Sequence, residues 1–168
     1  LLHGDFADAS RLLEALDLSM PGFDAVLADL GFASNQIDVG NRGLSFAEDG
    51  PLDMRLDPTA AVTAEQLINT LGESDLADLL FGLGEERLSR RIARKIVEAR
   101  SKQPITRTSE LSQLCREAYG PSAARRQRID PATRTFMALR IAVNDELGSL
   151  ERLLESLDKL VRPGGRAA

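Results

Sequence analysis

Asp29 closes an apolar run, Phe23 to Leu30 (FDAVLADL), that lies between Pro21-Gly22 and Gly31 and has the pattern of a strand buried on both faces. Open parallel sheets bind ligands in the crevice outside the carboxyl ends of their strands, where a carboxylate accepts hydrogen bonds from a ligand amine or hydroxyl. An Asp that caps the following turn has the same position, and position alone does not separate the two readings. The cations are more distinctive. At 100° per residue, Arg87, Arg90, Arg91, Arg94 and Lys95 fill one half of a helical wheel over Glu85 to Arg100, and Leu88, Ile92, Ala93, Ile96, Val97 and Ala99 fill the other. Fourteen of the chain's 21 Lys and Arg residues lie between Arg87 and Arg140, with only four of its 26 acidic residues. A solvated helix face is the plain alternative, but the charges continue in Lys102, Arg107, Arg125, Arg126, Arg128, Arg134 and Arg140. That density favours contact with a polyanion, because clustered cations gain most by displacing counterions condensed on phosphates.

Other reactive side chains point to structure. Asp49, Asp53 and Asp57 in EDGPLDMRLDP stand four apart and miss the alternate-residue spacing of a calcium loop, which favours an ordered turn with Asp/Arg pairing over a metal site. His3 is the single histidine and has no neighbouring Cys or His, so it reads as a strand-end residue. Cys115 lies beside Leu111 and Leu114 on an apolar helix face and reads as a buried, inert thiol. No metal is expected.

The elements that must position these residues follow from pattern and punctuation. Leu12, Leu13 and Leu16 predict a helix over Asp8 to Leu18 ahead of the strand, and Leu1-Leu2-His3 could end an earlier strand. Gly31 to Pro58 is a long loop rich in Gly, Asp, Asn and Pro, a class more often functional than idle. Thr63 with Gln66 forms a capping box before one helix, and Ser74 caps a second ending near Gly82 or Gly84. Thr108 caps a helix that Gly120-Pro121 stops. Asp130-Pro131 opens a long helix whose apolar residues run from Phe136 to Leu160, with a bend at Gly148.

Composition bounds the class. With 168 residues, 43% of them hydrophobic, the chain has the size of one domain, or of one domain carrying an insertion. No window reaches the ~18 consecutive apolar residues of a membrane span, and no secretory signal opens the chain; with a single cysteine, this points to the cytoplasm. One Tyr, six Phe and no Trp favour binding of nucleic acid by shape and backbone over reading a run of single-stranded bases.

Five segments, VLADLGFASNQID (Val26 to Asp38), RGLSFAEDGPLDMRLDP (Arg42 to Pro58), GEERLSRRIARKIVEAR (Gly84 to Arg100), PITRTSEL (Pro104 to Leu111) and DPATRTFMALRIAVNDEL (Asp130 to Leu147), resemble, in this order, the bacterial 16S ribosomal RNA cytosine-N4 methyltransferase family. The resemblance implies an α/β fold: part of a Rossmann-like class I methyltransferase domain, interrupted by an all-α insertion that makes this chain mostly helical. Residues 1–35 and 129–168 would belong to the S-adenosylmethionine-binding domain, and 36–128 to a helical insertion that recognises RNA. Phe6 in HGDF, Asp29 in ADLG and Gln36 in ASNQID match family positions that contact S-adenosylmethionine. Asp29 is also the one candidate catalytic group, since the Asn/Asp-Pro-Pro-aromatic motif of many amino-methyltransferases is absent.

On this resemblance the partner is 16S ribosomal RNA or the small ribosomal subunit, with no DNA or membrane partner expected and no oligomeric state implied. The RNA would meet Arg87, Arg90, Arg91, Arg94, Lys95, Arg134 and Arg140. The glycine-rich cofactor loop is expected to precede Leu1 and a further strand to follow Ala168. Asp130 and Phe32-Ala33 depart from the residues usual in the family. A non-catalytic RNA-binding remnant of the family is the alternative to an enzyme.

Overall fold

The computed structural model describes residues 2–16, 22–30, 42–124 and 128–168. The described residues are mostly helical with one two-stranded parallel sheet, and the chain divides into two compact units: residues 1–31 with 145–168, and residues 32–144.

The first unit contains a 3-10 turn, Phe6–Asp8, helix α1 (Ala9–Glu14), strand β1 (Phe23–Val26) and, from the C-terminal segment, helix α8 (Glu146–Leu160) and strand β2 (Val161–Ala167). Asp5 caps the turn by accepting from the Ala7 amide at 2.9 Å. β1 and β2 pair in parallel at Phe23↔Val161, Ala25↔Arg166 and Val26↔Ala167, so an advance of two positions along β1 matches an advance of five along β2. Glycine makes this irregularity possible. Gly22 has φ +97°, and a Cβ there would come within 2.7 Å of the Arg162 amide nitrogen; Gly164 has φ +84°. Arg162 also pairs with Asp24 across the strands. α8 buries Ser149, Leu153 and Leu160, and the Ser149 hydroxyl donates to Asp5 at 3.2 Å.

The strand is shorter and more open than expected. β1 as a strand ends at Val26, and Leu27 is 83% exposed, because an apolar run alone does not specify how many neighbours cover it. Leu2 and His3 lie in no strand and are exposed.

The second unit holds α2 (Ala64–Thr70), α3 (Glu73–Gly84), α4 (Ser89–Arg100), α5 (Thr108–Tyr119), α6 (Pro121–Ala124) and α7 (Thr133–Val143). The capping box forms as expected: Thr63 accepts from the Gln66 amide at 3.2 Å, and Gln66 accepts from the Thr63 amide at 3.1 Å. α3 and α7 pack closely at Gly84, where a Cβ would lie 2.5 Å from the Arg134 carbonyl oxygen. Ile68, Leu76, Leu80, Ile92, Ile96, Leu111 and Leu139 are completely buried and form the core of this unit.

Segment 42–58 is an ordered strap on this core. Leu52 and Met54 are fully buried, and burying such side chains contributes roughly 1.5–3 kcal/mol each. For Met54 that exceeds the roughly 1–2 kcal/mol cost of a left-handed backbone, which it adopts at φ 61°. Backbone bonds from the Leu52 amide to Thr106 and from the Thr108 amide to Gly50 tie the strap to the start of α5. Phe46 stacks obliquely on Phe136, with ring centroids 4.8 Å apart.

Several helix boundaries differ from the sequence expectation. α3 starts at Glu73 after Gly72, so Ser74 falls within the first turn. Glu85 takes a left-handed backbone, φ 50°, and α4 begins only at Ser89. Thr108 is the first residue of α5; its hydroxyl accepts from the Gly50 amide at 2.9 Å, while Glu110 accepts from the Thr106 and Arg107 amides. Asp130 caps the turn ahead of α7, accepting from the Ala132 amide at 2.8 Å, and the helix starts at Thr133.

The long C-terminal helix is two helices, and the break falls at Asn144-Asp145 instead of Gly148. The Asn144 amide donates to the Met54 and Arg140 carbonyls, both at 2.9 Å, and its oxygen accepts from the Leu56 amide at 2.8 Å. Asp145 then turns left-handed at φ 46° and precedes α8. Boundaries drawn at 35/36 and 128/129 therefore differ from those of the compact units, because α7 packs with the helical residues.

Candidate functional site

Of the candidate cofactor residues, Asp29 lies beyond the carboxyl end of β1. Parallel pairing continues past Val26 through the Ala28 amide, which donates to the Ala168 carbonyl at 2.8 Å. Asp29 is the next residue, and its side chain is exposed. Phe6 opens the 3-10 turn with 42% of its surface exposed. Gln36 lies outside the described residues. An exposed carboxylate beyond a parallel strand suits a ligand hydroxyl or amine, and an exposed aromatic ring suits a flat heterocycle.

The cations of the second unit sort by what they touch. Between Arg87 and Arg140, Arg100, Arg107 and Arg116 belong to the fold: Arg100 donates to the Ile68 and Leu71 carbonyls at the end of α2, Arg107 pairs with Asp49 at 2.6 Å, and Arg116 pairs with Asp130 at 3.0 Å. Arg94 and Lys95 reach Glu73 and Glu117 at 3.4 and 3.5 Å in exposed pairs. Such pairs contribute about 0–1 kcal/mol and exchange readily for another anion. Arg87, Arg90 and Arg91 are exposed, form no ion pair with the described residues, and line the same open cavity between α3 and α4. Arg134 is half-buried in a different small cleft beside Glu86, Tyr119 and Asp130, and Arg140 is half-buried on α7. The structure thus brings Arg87, Arg90 and Arg91 to one cavity, with Arg94 and Lys95 further along the same helix, and sets Arg134 and Arg140 on another.

The acidic strap residues are engaged in pairing. Asp53 binds Arg55 through two bonds of 2.7 and 2.8 Å, and Arg55 also donates to the Pro58 and Ala60 carbonyls. Asp57 accepts from the Thr59 amide and hydroxyl. The Arg107 guanidinium holds the Asp49 carboxyl down at about 2, and that of Arg55 lowers Asp53. Cys115 is fully buried, and desolvation pushes its thiol up to about 12, so it carries no thiolate near neutrality.

Two features escaped the sequence reading. Phe81 faces outward from α3 with 61% of its surface exposed and lines the cavity of the three arginines. It follows Leu80 directly and so falls off the buried stripe of Leu76, Ala77 and Leu80, a placement a helical wheel of that segment displays. Glu86 is completely buried, and the Tyr119 hydroxyl donates to its two carboxylate oxygens at 2.8 and 3.0 Å. Nothing local marks that pair, since its members are 33 residues apart.

A sequence profile of the MraW methylase family matches residues 1–168. The ribosomal RNA small subunit methyltransferase H of Desulfosudis oleivorans is 48% identical over 165 residues, which cover 98% of this chain and 52% of that protein. The enzymes of the same name from Acidobacterium capsulatum and Geobacter sulfurreducens are 53% and 51% identical, covering 94% and 97% of this chain and 52% and 51% of their own lengths. The chain spans about half the length of the curated relatives it matches.

Proposed function

The chain belongs to the MraW methylase family, and from that membership we propose that the protein carrying it methylates the N4 amine of a cytosine in small-subunit ribosomal RNA, with S-adenosylmethionine as donor. The observation that carries this reading is 48% identity over 98% of the chain to a protein named for ribosomal RNA small-subunit methylation. On this reading the unit of residues 1–31 and 145–168 is part of a Rossmann-like cofactor domain. The helical unit of residues 32–144 is then an insertion that meets the RNA.

S-adenosylmethionine supplies an electrophilic methyl group when bound. Asp29 would accept hydrogen bonds from it, Gln36 would donate or accept them, and the Phe6 ring would offer a surface for its heterocycle. A cytosine amine is a weak nucleophile, because its lone pair is delocalised into the ring, so the site must fix its orientation and accept its hydrogens. Asp29 has the chemistry for that second task. Arg87, Arg90, Arg91, Arg94 and Lys95 hold phosphates of the RNA, and Arg134 and Arg140 extend the contact along α7.

Calorimetry of the full-length protein against S-adenosylmethionine tests the first half of the proposal: one-to-one binding, abolished by Asp29→Ala in a folded variant, is expected. Transfer of labelled methyl to small-subunit RNA tests the second half. Cofactor binding without transfer to that RNA refutes the substrate assignment. No cofactor binding by the full-length protein refutes the enzyme reading and leaves the non-catalytic RNA-binding alternative.

A further inference from the structure

An open cavity of about 430 Å3 separates the C-terminal half of α3 from the start of α4. Asp78 and Phe81, three residues apart and therefore on one helix face, line it from α3. Arg87, just ahead of α4, and Arg90 and Arg91, in its first turn, line it from the other side. Phe81 is the most exposed phenylalanine of the described residues, and the core of the helical unit is complete without it.

The mixture of side chains defines the ligand. Three cations alone would suit any phosphate, but an exposed aromatic ring among them adds a surface for a flat π-system, and single-stranded nucleic acid presents phosphates and bare base faces together. A duplex hides its base faces. Asp78 repels phosphate and accepts N–H groups, which selects the edge of a base over a second phosphate at that wall. Building on the RNA-binding reading above, we propose that this cavity takes one unstacked nucleobase of single-stranded RNA. The base stacks on Phe81 and donates an edge N–H to Asp78, while Arg87, Arg90 and Arg91 hold the phosphates on either side. The site lies within the helical unit.

Fluorescence anisotropy of the full-length protein with a labelled 12-nucleotide single-stranded RNA, and with a fully paired hairpin of the same composition, reads the proposal directly. Phe81→Ala and Phe81→Leu are expected to weaken single-strand binding about ten-fold or more, with hairpin binding and the slope of log K against log salt unchanged. Phe81→Tyr is expected to retain wild-type affinity. Arg90→Glu with Arg91→Glu is expected to weaken both RNAs and flatten the salt slope. Wild-type single-strand affinity in Phe81→Ala and Phe81→Leu overturns the base site; if the charge reversals still weaken binding, the RNA-binding reading stands without it. If the charge reversals also change nothing, both fail. Loss of binding to small subunits in Phe81→Ala, with free-RNA affinity intact, assigns the cavity to a protein surface and overturns the proposal.

Discussion

Replacing Tyr119 by Phe removes one hydroxyl and leaves the ring in place, which makes it a clean probe of the buried carboxylate of Glu86. Glu86 has no exposed surface, and it accepts from the Tyr119 hydroxyl at 2.8 and 3.0 Å and from the Leu88 amide at 2.8 Å. Hydrogen bonds to a charged group contribute about 1.5–3 kcal/mol, and a buried acceptor that loses its donor bears most of that penalty. Tyr119→Phe is therefore expected to lower stability by about 1.5–3 kcal/mol in urea unfolding followed by far-UV circular dichroism at pH 7. A second readout is available because Tyr119 is the only tyrosine of the chain, which has no tryptophan. Absorbance at 295 nm thus reports its phenolate alone. Burial, followed by the Glu86 hydrogen bond and charge, pushes the Tyr119 phenol up to about 12 from its ordinary 10. The raised value means the bond stabilises the fold fully below pH 10 and the stabilisation is lost as pH rises toward 12. Rapid pH-jump titration of the 168-residue chain should give a native midpoint near 12 and an unfolded one near 10, with Glu86→Gln lowering the native value. A native midpoint near 10, or a loss below about 0.5 kcal/mol in Tyr119→Phe, would refute the reasoning, since neither is compatible with a hydrogen bond to a buried charge.

Asn144→Ala is expected to cost about 2–4 kcal/mol in the same unfolding assay, because the Leu56 amide and the Met54 carbonyl lose their partner together; a loss under about 1 kcal/mol means water replaces the side chain. For Asp49 the folded value is depressed to about 2, so its contribution is present above pH 4 and lost as pH falls toward 2. Urea midpoints measured from pH 5 to pH 2 should fall less steeply in Asp49→Asn, and superimposable slopes would contradict the pairing with Arg107. Cys115 should resist a thiol reagent at pH 8 in the native chain and react at once in 6 M guanidinium, whereas fast native labelling would show that the α5 face opens readily.

Much of this chain could be read from local pattern. The Thr63–Gln66 capping box, the amphipathic division of α4 and the stop at Gly120-Pro121 depend on residues within a turn or two of one another. The pairing of Asp53 with Arg55 is equally local, and the motif order sufficed to recognise the family that the profile then matched across residues 1–168.

The misreadings share a cause. Helical periodicity runs unbroken from Phe136 to Leu160, but Asn144 finds better partners 88 and 90 residues away, in the strap, than the helix would offer it. The exposure of β1 depends on which elements cover it, and an apolar run does not contain that information.

The amino-acid sequence by itself determined the charge segregation, the helix-forming segments and the family, because composition, periodicity and motif order are properties of neighbours along the chain. Only the tertiary structure decided which cations are free for a ligand. Arg100, Arg107 and Arg116 are consumed by carbonyls and carboxylates brought to them from distant segments, while Arg87, Arg90 and Arg91 are left on one cavity with Phe81. A guanidinium's charge belongs to its residue, but its availability depends on what folding places within about 3 Å of it.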